Sequence, residues 1–154
     1  GSNYCSAPIR AVDSAAEAIR EADIICCTTS SQTPVFEDAD VSSGVHINAV
    51  GSSQAHVREV PTATVKRATV FVDEREAAWE EAGDLIQPFD AGEIGRDHIQ
   101  ASLGDLTLKR HPGRRSDDEI TFFKSVGVAV QDAAAARVVV ANAVRDGLGQ
   151  TVAW

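Results

Sequence analysis

The chain has 154 residues, 44% of them hydrophobic and 24% charged, with a formal net charge of −9 at pH 7. That length supports one domain with a core of its own, and the acidic balance argues against nucleic acid, whose phosphates need clustered Lys and Arg. No apolar run reaches the length of a membrane span and no signal peptide is visible, so no membrane partner and a cytoplasmic setting are expected.

Gly1-Ser2 resembles a remnant of tag removal, which leaves residues 3–154 as a single domain to interpret. Residues 9–12 read as a short strand, and Ser14 with Glu17 has capping-box spacing that opens a helix over 15–21. Residues 23–28 form a continuous apolar strand, of the kind covered on both faces. The polar cluster Thr28-Thr29-Ser30-Ser31 follows, and Thr33-Pro34 ends it as a loop. Gly44 turns the chain into a strand over 45–50, and a helix lies within 57–67, starting no earlier than Pro61. A strand over 69–72 ends at Asp73, and a charged helix over 74–82 is stopped by Gly83 as its C′ residue.

Residues 84–97 read as loop-rich, Asp97 caps a short helix through 103, and Gly104 interrupts the chain beyond it. Pro112-Gly113 is a turn, and the polar run 114–119 leads into a strand over 120–123. Residues 126–146, rich in Ala and Val and closed by Gly147, form the strongest helix and are expected to pack on the sheet. This alternation predicts an α/β fold with a parallel sheet flanked by helices.

Candidate ligand contacts fall just after strands, at 28–31, at Gly51-Ser52-Ser53 and at Lys124-Ser125. In open α/β sheets, ligands bind outside the carboxyl ends of the strands. Hydroxyls and backbone N–H groups suit a phosphate or a nicotinamide amide without adding charge. The same residue types cap helices and turns, so each cluster also carries a purely structural reading. Gly51 lets backbone approach a ligand closely, and Asn48 is a polar residue on an otherwise apolar strand.

Lys124 reads either as a cation for a carboxylate or phosphate, or as the solvated end of its strand. Asp73 and Glu74 read either as a general base or as a solvated helix start favoured by the dipole. The run 117–119 is a solvated turn, and His46, His56, His98 and His111 share no periodicity and read as structural or exposed. Of Cys5, Cys26 and Cys27, the adjacent pair points to opposite faces of a strand, and no C-x-x-C occurs. They read as small buried hydrophobes, with no metal site. No G-x-G-x-x-G follows any strand, so the residues describe only half of a cofactor-binding sheet.

The ordered words His46-Ile47-Asn48-Ala49-Val50-Gly51, Arg58-Glu59, Val72-Asp73-Glu74-Arg75-Glu76-Ala77-Ala78 and Glu81-Ala82-Gly83-Asp84 resemble the ornithine cyclodeaminase/mu-crystallin family. So do Leu103-Gly104-Asp105, Pro112-Gly113-Arg114 and Phe123-Lys124-Ser125-Val126-Gly127, and the match runs from about Ile9 onward. The resemblance implies an NAD(P)-dependent, usually homodimeric protein in which an amino-terminal dimerisation and substrate segment precedes a Rossmann domain. Activities of that family include deaminating cyclisation of ornithine, alanine dehydrogenation and reduction of cyclic ketimines. This chain then corresponds to a partial Rossmann-like sheet, lacking the first strands and the glycine-rich turn.

By the same resemblance, Thr28, Thr29 and Ser30 lie beside the cofactor. Val50 and Ser53 lie in the turn next to nicotinamide and substrate, and Ser125 contacts the nicotinamide. Cyclodeaminases carry in that turn an Asp that acts in proton transfer, where this chain has Ser53. A hydroxyl is no comparable base, so no catalytic residue is assigned and the ketimine-reductase branch is favoured over ornithine cyclodeamination.

The expectation is a fragment or truncated member of an NAD(P)-dependent amino- or imino-acid oxidoreductase or deaminase. The full-length parent would use NAD or NADP; the isolated chain is expected to be inactive, holding either that cofactor or none. The alternative is a non-catalytic module of the same fold that oligomerises and binds no cofactor. In the usual strand order 3-2-1-4-5-6, the two missing strands would lie between 9–12 and 23–28. The open edge is then expected to be covered by a second copy, or by direct pairing of 9–12 with 23–28.

Overall fold

The structure is a computed structural model that describes residues 7–150 and 152; Gly1-Ser2 and Cys5 lie outside the described residues. Strands β1 (Ile24–Cys27), β2 (His46–Ala49), β3 (Thr69–Val72), β4 (Ile99–Ser102) and β5 (Thr121–Lys124) make one sheet. Its order is β1-β2-β5-β3-β4, and every neighbouring pair is parallel. The expected α/β class holds. The last strand, however, does not take the edge as the order 3-2-1-4-5-6 would have it: β5 inserts between β2 and β3, with Phe122 beside both Ile47 and Val70.

Alternation along these strands sends Ile25, Cys27, Ile47, Ala49, Val70, Val72 and Phe122 to one face, where they are buried. Helices α1 (Ala15–Ile19), α2 (Thr62–Arg67), α3 (Arg75–Glu81) and α4 (Gly83–Asp90) cover that face, adding Ile19, Val65, Ala78 and Leu85 to the core. Ser14 caps α1 by accepting from the Glu17 N–H at 3.2 Å. The opposite face carries α5 (Leu103–Thr107), whose Leu103 and Leu106 meet His46, Asn48, Phe71 and Phe123 around an open depression of about 320 Å³.

Several expectations are overturned. Residues 9–12 form no strand: they are coil, Ile9 is 91% exposed, and among the described residues no strand pairs with the outer edge of β1. A four-residue strand needs a ladder partner for its N–H and C=O groups, and this one has none. β1 itself is not covered on both faces, since Ile24 and Cys26 are exposed while Ile25 and Cys27 are buried.

Residues 84–97 are not loop-rich, because α4 starts at Gly83. Gly83 does follow the C-cap of α3, Ala82, in the C′ place, but without a positive φ, and it opens α4. A Cβ there would lie 2.7 Å from the Ala55 carbonyl and 2.8 Å from the Gln54 carbonyl, so close approach requires glycine. The expected helix capped by Asp97 is replaced by a single 3-10 turn, Arg96–His98, and by β4. Burial of Ile99 and Ala101 with Gln100 exposed is a period of two, and pairing with β3 decides the matter. Gly104 interrupts nothing: α5 runs through it, started by a reciprocal capping box between Ser102 and Asp105.

The last helix, α6 (Ala129–Asp146), starts later than expected and does not pack on the sheet. None of its 18 residues is buried, and Val130, Val138, Val139, Val140 and Val144 are all more than half exposed.

Candidate functional site

Because β1, β2 and β5 are neighbours and parallel, the turns leaving their carboxyl ends stand side by side. The Val50 N–H donates to the Cys27 carbonyl at 3.0 Å and the Ser125 N–H to the Ala49 carbonyl at 3.1 Å, extending the sheet pattern into those turns. Thr28, Thr29, Ser30, Val50, Ser53 and Ser125 therefore share one edge of the sheet. Ser30 and Ser53 line a depression of about 210 Å³ together with Ser31, Gly51, Ser52 and His56. Thr28, Thr29, Val50 and Ser125 sit on the same edge without lining it.

What holds the first two turns together is Glu59, a residue with no exposed surface. Its Oε1 accepts from the Thr29 N–H at 2.6 Å and the Thr29 hydroxyl at 2.8 Å, and its Oε2 accepts from the Gly51 N–H at 2.8 Å. A buried carboxylate is tolerable only when its lone pairs are taken up in this way. Both Thr29 donors are thereby committed to protein, and its hydroxyl oxygen accepts the Ser31 N–H at 3.1 Å. Gly51 is small for the same reason. A Cβ there would collide with the Thr29 backbone and the Glu59 carboxylate, so the close approach that glycine permits is to protein.

Beneath these turns lies a second buried group. Asp84 Oδ1 accepts from the backbone N–H of Glu59 and of Val60, each at 2.8 Å. Its Oδ2 makes no directed hydrogen bond but lies 3.0 Å from Lys124 Nζ, so the contact is an ion pair. Lys124 also donates to the Ser52 carbonyl at 2.5 Å. Of the two readings of Lys124, the solvated strand end fails because its side chain is wholly buried, while the cation for a carboxylate holds, the carboxylate being the protein's own Asp84. Cys27, packed nearby, has its thiol pushed up to about 12 by burial first and then by Glu59 and Asp84.

The third turn is held by Asp73. Its Oδ2 accepts from the Ser125 hydroxyl at 2.8 Å and from the N–H groups of Val126 and Gly127 at 3.0 and 2.8 Å. Asp73 is thus neither a solvated helix start nor a free base, whereas Glu74 does cap α3 through the Ala77 N–H. The Ser125 hydroxyl donates to Asp73 and its oxygen accepts from the Gly127 N–H at 3.3 Å, which leaves one lone pair with which Ser125 can accept from a ligand. Glu119, read as part of a solvated turn, instead accepts from the Thr69 hydroxyl and the Arg115 N–H. No group of three His, Cys, Asp or Glu fit for a metal occurs among the described residues.

Sequence reasoning missed Glu59 and Asp84 as site residues, although both stand in the words that carry the family resemblance. The available signal was a carboxylate placed directly beside apolar residues, as in Glu59-Val60 and Asp84-Leu85-Ile86. The resulting edge offers hydroxyls, backbone amides and the imidazole of His56 to a polar ligand, over a floor held rigid by buried charge.

The profile of the ornithine cyclodeaminase/mu-crystallin family matches residues 2–147. The chain belongs to this family. It is 44% identical over 146 residues to a delta(1)-pyrroline-2-carboxylate reductase of Bacillus cereus, an alignment covering 94% of this chain and 45% of that protein. Among solved structures, the Thermococcus litoralis delta(1)-pyrroline-2-carboxylate reductase in complex with NADH and L-proline superposes with a TM-score of 0.86 at 37% identity. That match covers 92% of this chain and 44% of the other. An archaeal alanine dehydrogenase dimer with bound NAD gives a TM-score of 0.82 at 35% identity, over 94% of this chain and 44% of that one. The chain thus spans a little under half the length of these relatives, two of which are seen with NAD or NADH.

Proposed function

We propose that the longer protein corresponding to this chain is an NAD(P)-dependent reductase of a cyclic imino acid, with this segment forming the nicotinamide side of its site. The observation that carries the reading is the pair of turns, 28–31 and 51–53, joined by Glu59 at the carboxyl edge of adjacent parallel strands. That is where open α/β sheets take their ligands. Ser30, Ser53 and Ser125 supply neutral donors and acceptors there, and Ser53 in place of an acid speaks against cyclodeaminase chemistry. Similarity to a reductase seen with NADH and L-proline points the same way. When bound, the nicotinamide supplies the hydride, and the residues here orient its ring. The amino or imino acid would meet groups outside this segment, in a homo-oligomeric, cytoplasmic enzyme.

The test is oxidation of NADH and of NADPH by the longer protein with delta(1)-pyrroline-2-carboxylate, alongside calorimetry with each cofactor. Turnover with at least one cofactor is expected. Ammonia release from L-ornithine without imine reduction, or binding of neither cofactor, would overturn the reading.

A second reading, a non-catalytic module that oligomerises, is favoured by α6, an apolar helix with nothing packed upon it among the described residues. The two readings separate on calorimetry, since the module would bind neither cofactor.

A further inference from the structure

We propose that Glu59 is a positioning residue for the cofactor, setting the separation of the turns at 28–31 and 51–53. The inference rests on the reading of those turns as the nicotinamide side of the site. Both carboxylate oxygens are in use, Oε1 on Thr29 and Oε2 on Gly51, and solvent reaches neither. The backbone of Glu59 is itself held, because its N–H donates to Asp84, whose other oxygen faces Lys124, which in turn donates to the Ser52 carbonyl. The ends of β1, β2 and β5 are therefore joined by one buried run of charge, with Glu59 as its link to both ligand-facing turns. A ligand lying across them meets donors whose spacing is set before it arrives, which lowers the cost of ordering them on binding.

The carboxylate is required at this position, because every group facing it is a donor. In Glu59→Gln, the amide NH2 must oppose either Thr29 or Gly51, two donors in contact, and one turn is released. Volume hardly changes, so the effect comes from lost acceptors.

The experiment uses the longer protein and compares Glu59→Gln with Thr64→Val. Thr64 is equally buried, its hydroxyl donates to Asp38 at 2.7 Å, and neither residue lines the depression between the turns. Glu59→Gln is expected to raise the KM and Kd for reduced cofactor by about tenfold or more, while the KM for the imino acid moves by less than about twofold. Thr64→Val is expected to lower Tm and leave both constants unchanged. Equal constants for Glu59→Gln and the unaltered protein, or equal changes in both variants, would overturn the proposal.

Should Glu59→Gln not fold, Thr29→Val removes one of the three donors and is expected to shift the cofactor constant in the same direction by a smaller factor. No shift in that variant would overturn the proposal. A measurement free of cofactor keeps this claim separate from the reading on which it rests. In the same protein, amide exchange is expected to quicken at Thr29 or at Gly51, whichever turn is released, in Glu59→Gln, with Phe122 unchanged. If the unaltered protein binds neither cofactor, the proposed function fails, and the exchange data still decide whether Glu59 joins the turns.

Discussion

Lys124 Nζ lies 3.0 Å from Asp84 Oδ2, and neither side chain has any exposed surface. Two charges taken wholly out of water survive only as a pair with their remaining atoms engaged. Here Lys124 also reaches the Ser52 carbonyl, and Asp84 holds two backbone N–H groups. The pair thereby couples the end of β5 to the turn after β2 and to the start of α4.

Removing one partner should be worse than removing the charge of both. Lys124→Met leaves a bare buried carboxylate and is expected to cost about 3–5 kcal/mol. In Lys124→Met/Asp84→Asn, the Asn carbonyl still accepts from Glu59 and Val60, so part of that loss should return. Urea unfolding of the single and double variants measures the coupling, and strictly additive losses would contradict the pairing.

Asp73 organises the turn after β5 through three donors on one oxygen. Asp73→Asn must turn an NH2 toward the Glu74 N–H or toward those donors. A loss of about 2 kcal/mol is expected, typical of hydrogen bonds to a charged acceptor. The midpoint of urea unfolding should fall with its slope unchanged.

Glu119 gives the fold an acid-sensitive contact. The Thr69 hydroxyl first, then the Arg115 N–H and guanidinium, hold its carboxyl down from 4.5 to about 2, with burial opposing them. The folded-state value lies below the unfolded one, so the unfolded chain takes up the proton first. The contribution is fully present above pH 4.5 and is lost as pH falls toward 2. Glu119→Gln is expected to flatten the stability profile across that window, as read from urea midpoints at successive pH values.

The exposed valines of α6 predict association. Val138, Val139 and Val140 are 59%, 64% and 61% exposed on a helix without a buried residue. Apolar surface of that kind marks an interaction site. Light scattering of this chain should give a mass that rises with concentration, and Val138→Lys/Val139→Lys should lower it. A concentration-independent monomer would count against both the association and the reading of this chain as an oligomerising module.

Strands with a buried face on both sides of a turn signal were legible in the chain, as at 45–50 and 69–72. β4 was not, since Ile99-Gln100-Ala101-Ser102 is too short for a period of two to stand out from a period of 3.6. α4 was hidden by Gly83, which reads as the stop of the helix before it. Gly83 answers a tertiary demand for close approach, and Pro88 is accommodated within the helix. The strand expected at residues 9–12 failed because strand formation depends on a partner that no local pattern reports.

The sequence by itself determined the succession of strands and polar turns, the ordered words of the family and the absence of a glycine-rich phosphate turn. All of these are carried by residues close together along the chain. Only the tertiary structure decided which polar groups face a ligand and which are used within the protein. Thr29 is taken by a carboxylate 30 positions away, and Lys124 is buried against a carbonyl 72 positions away. A hydroxyl or an ammonium carries no mark of its future partner, and that partner is set by the sheet order that brings distant strand ends together.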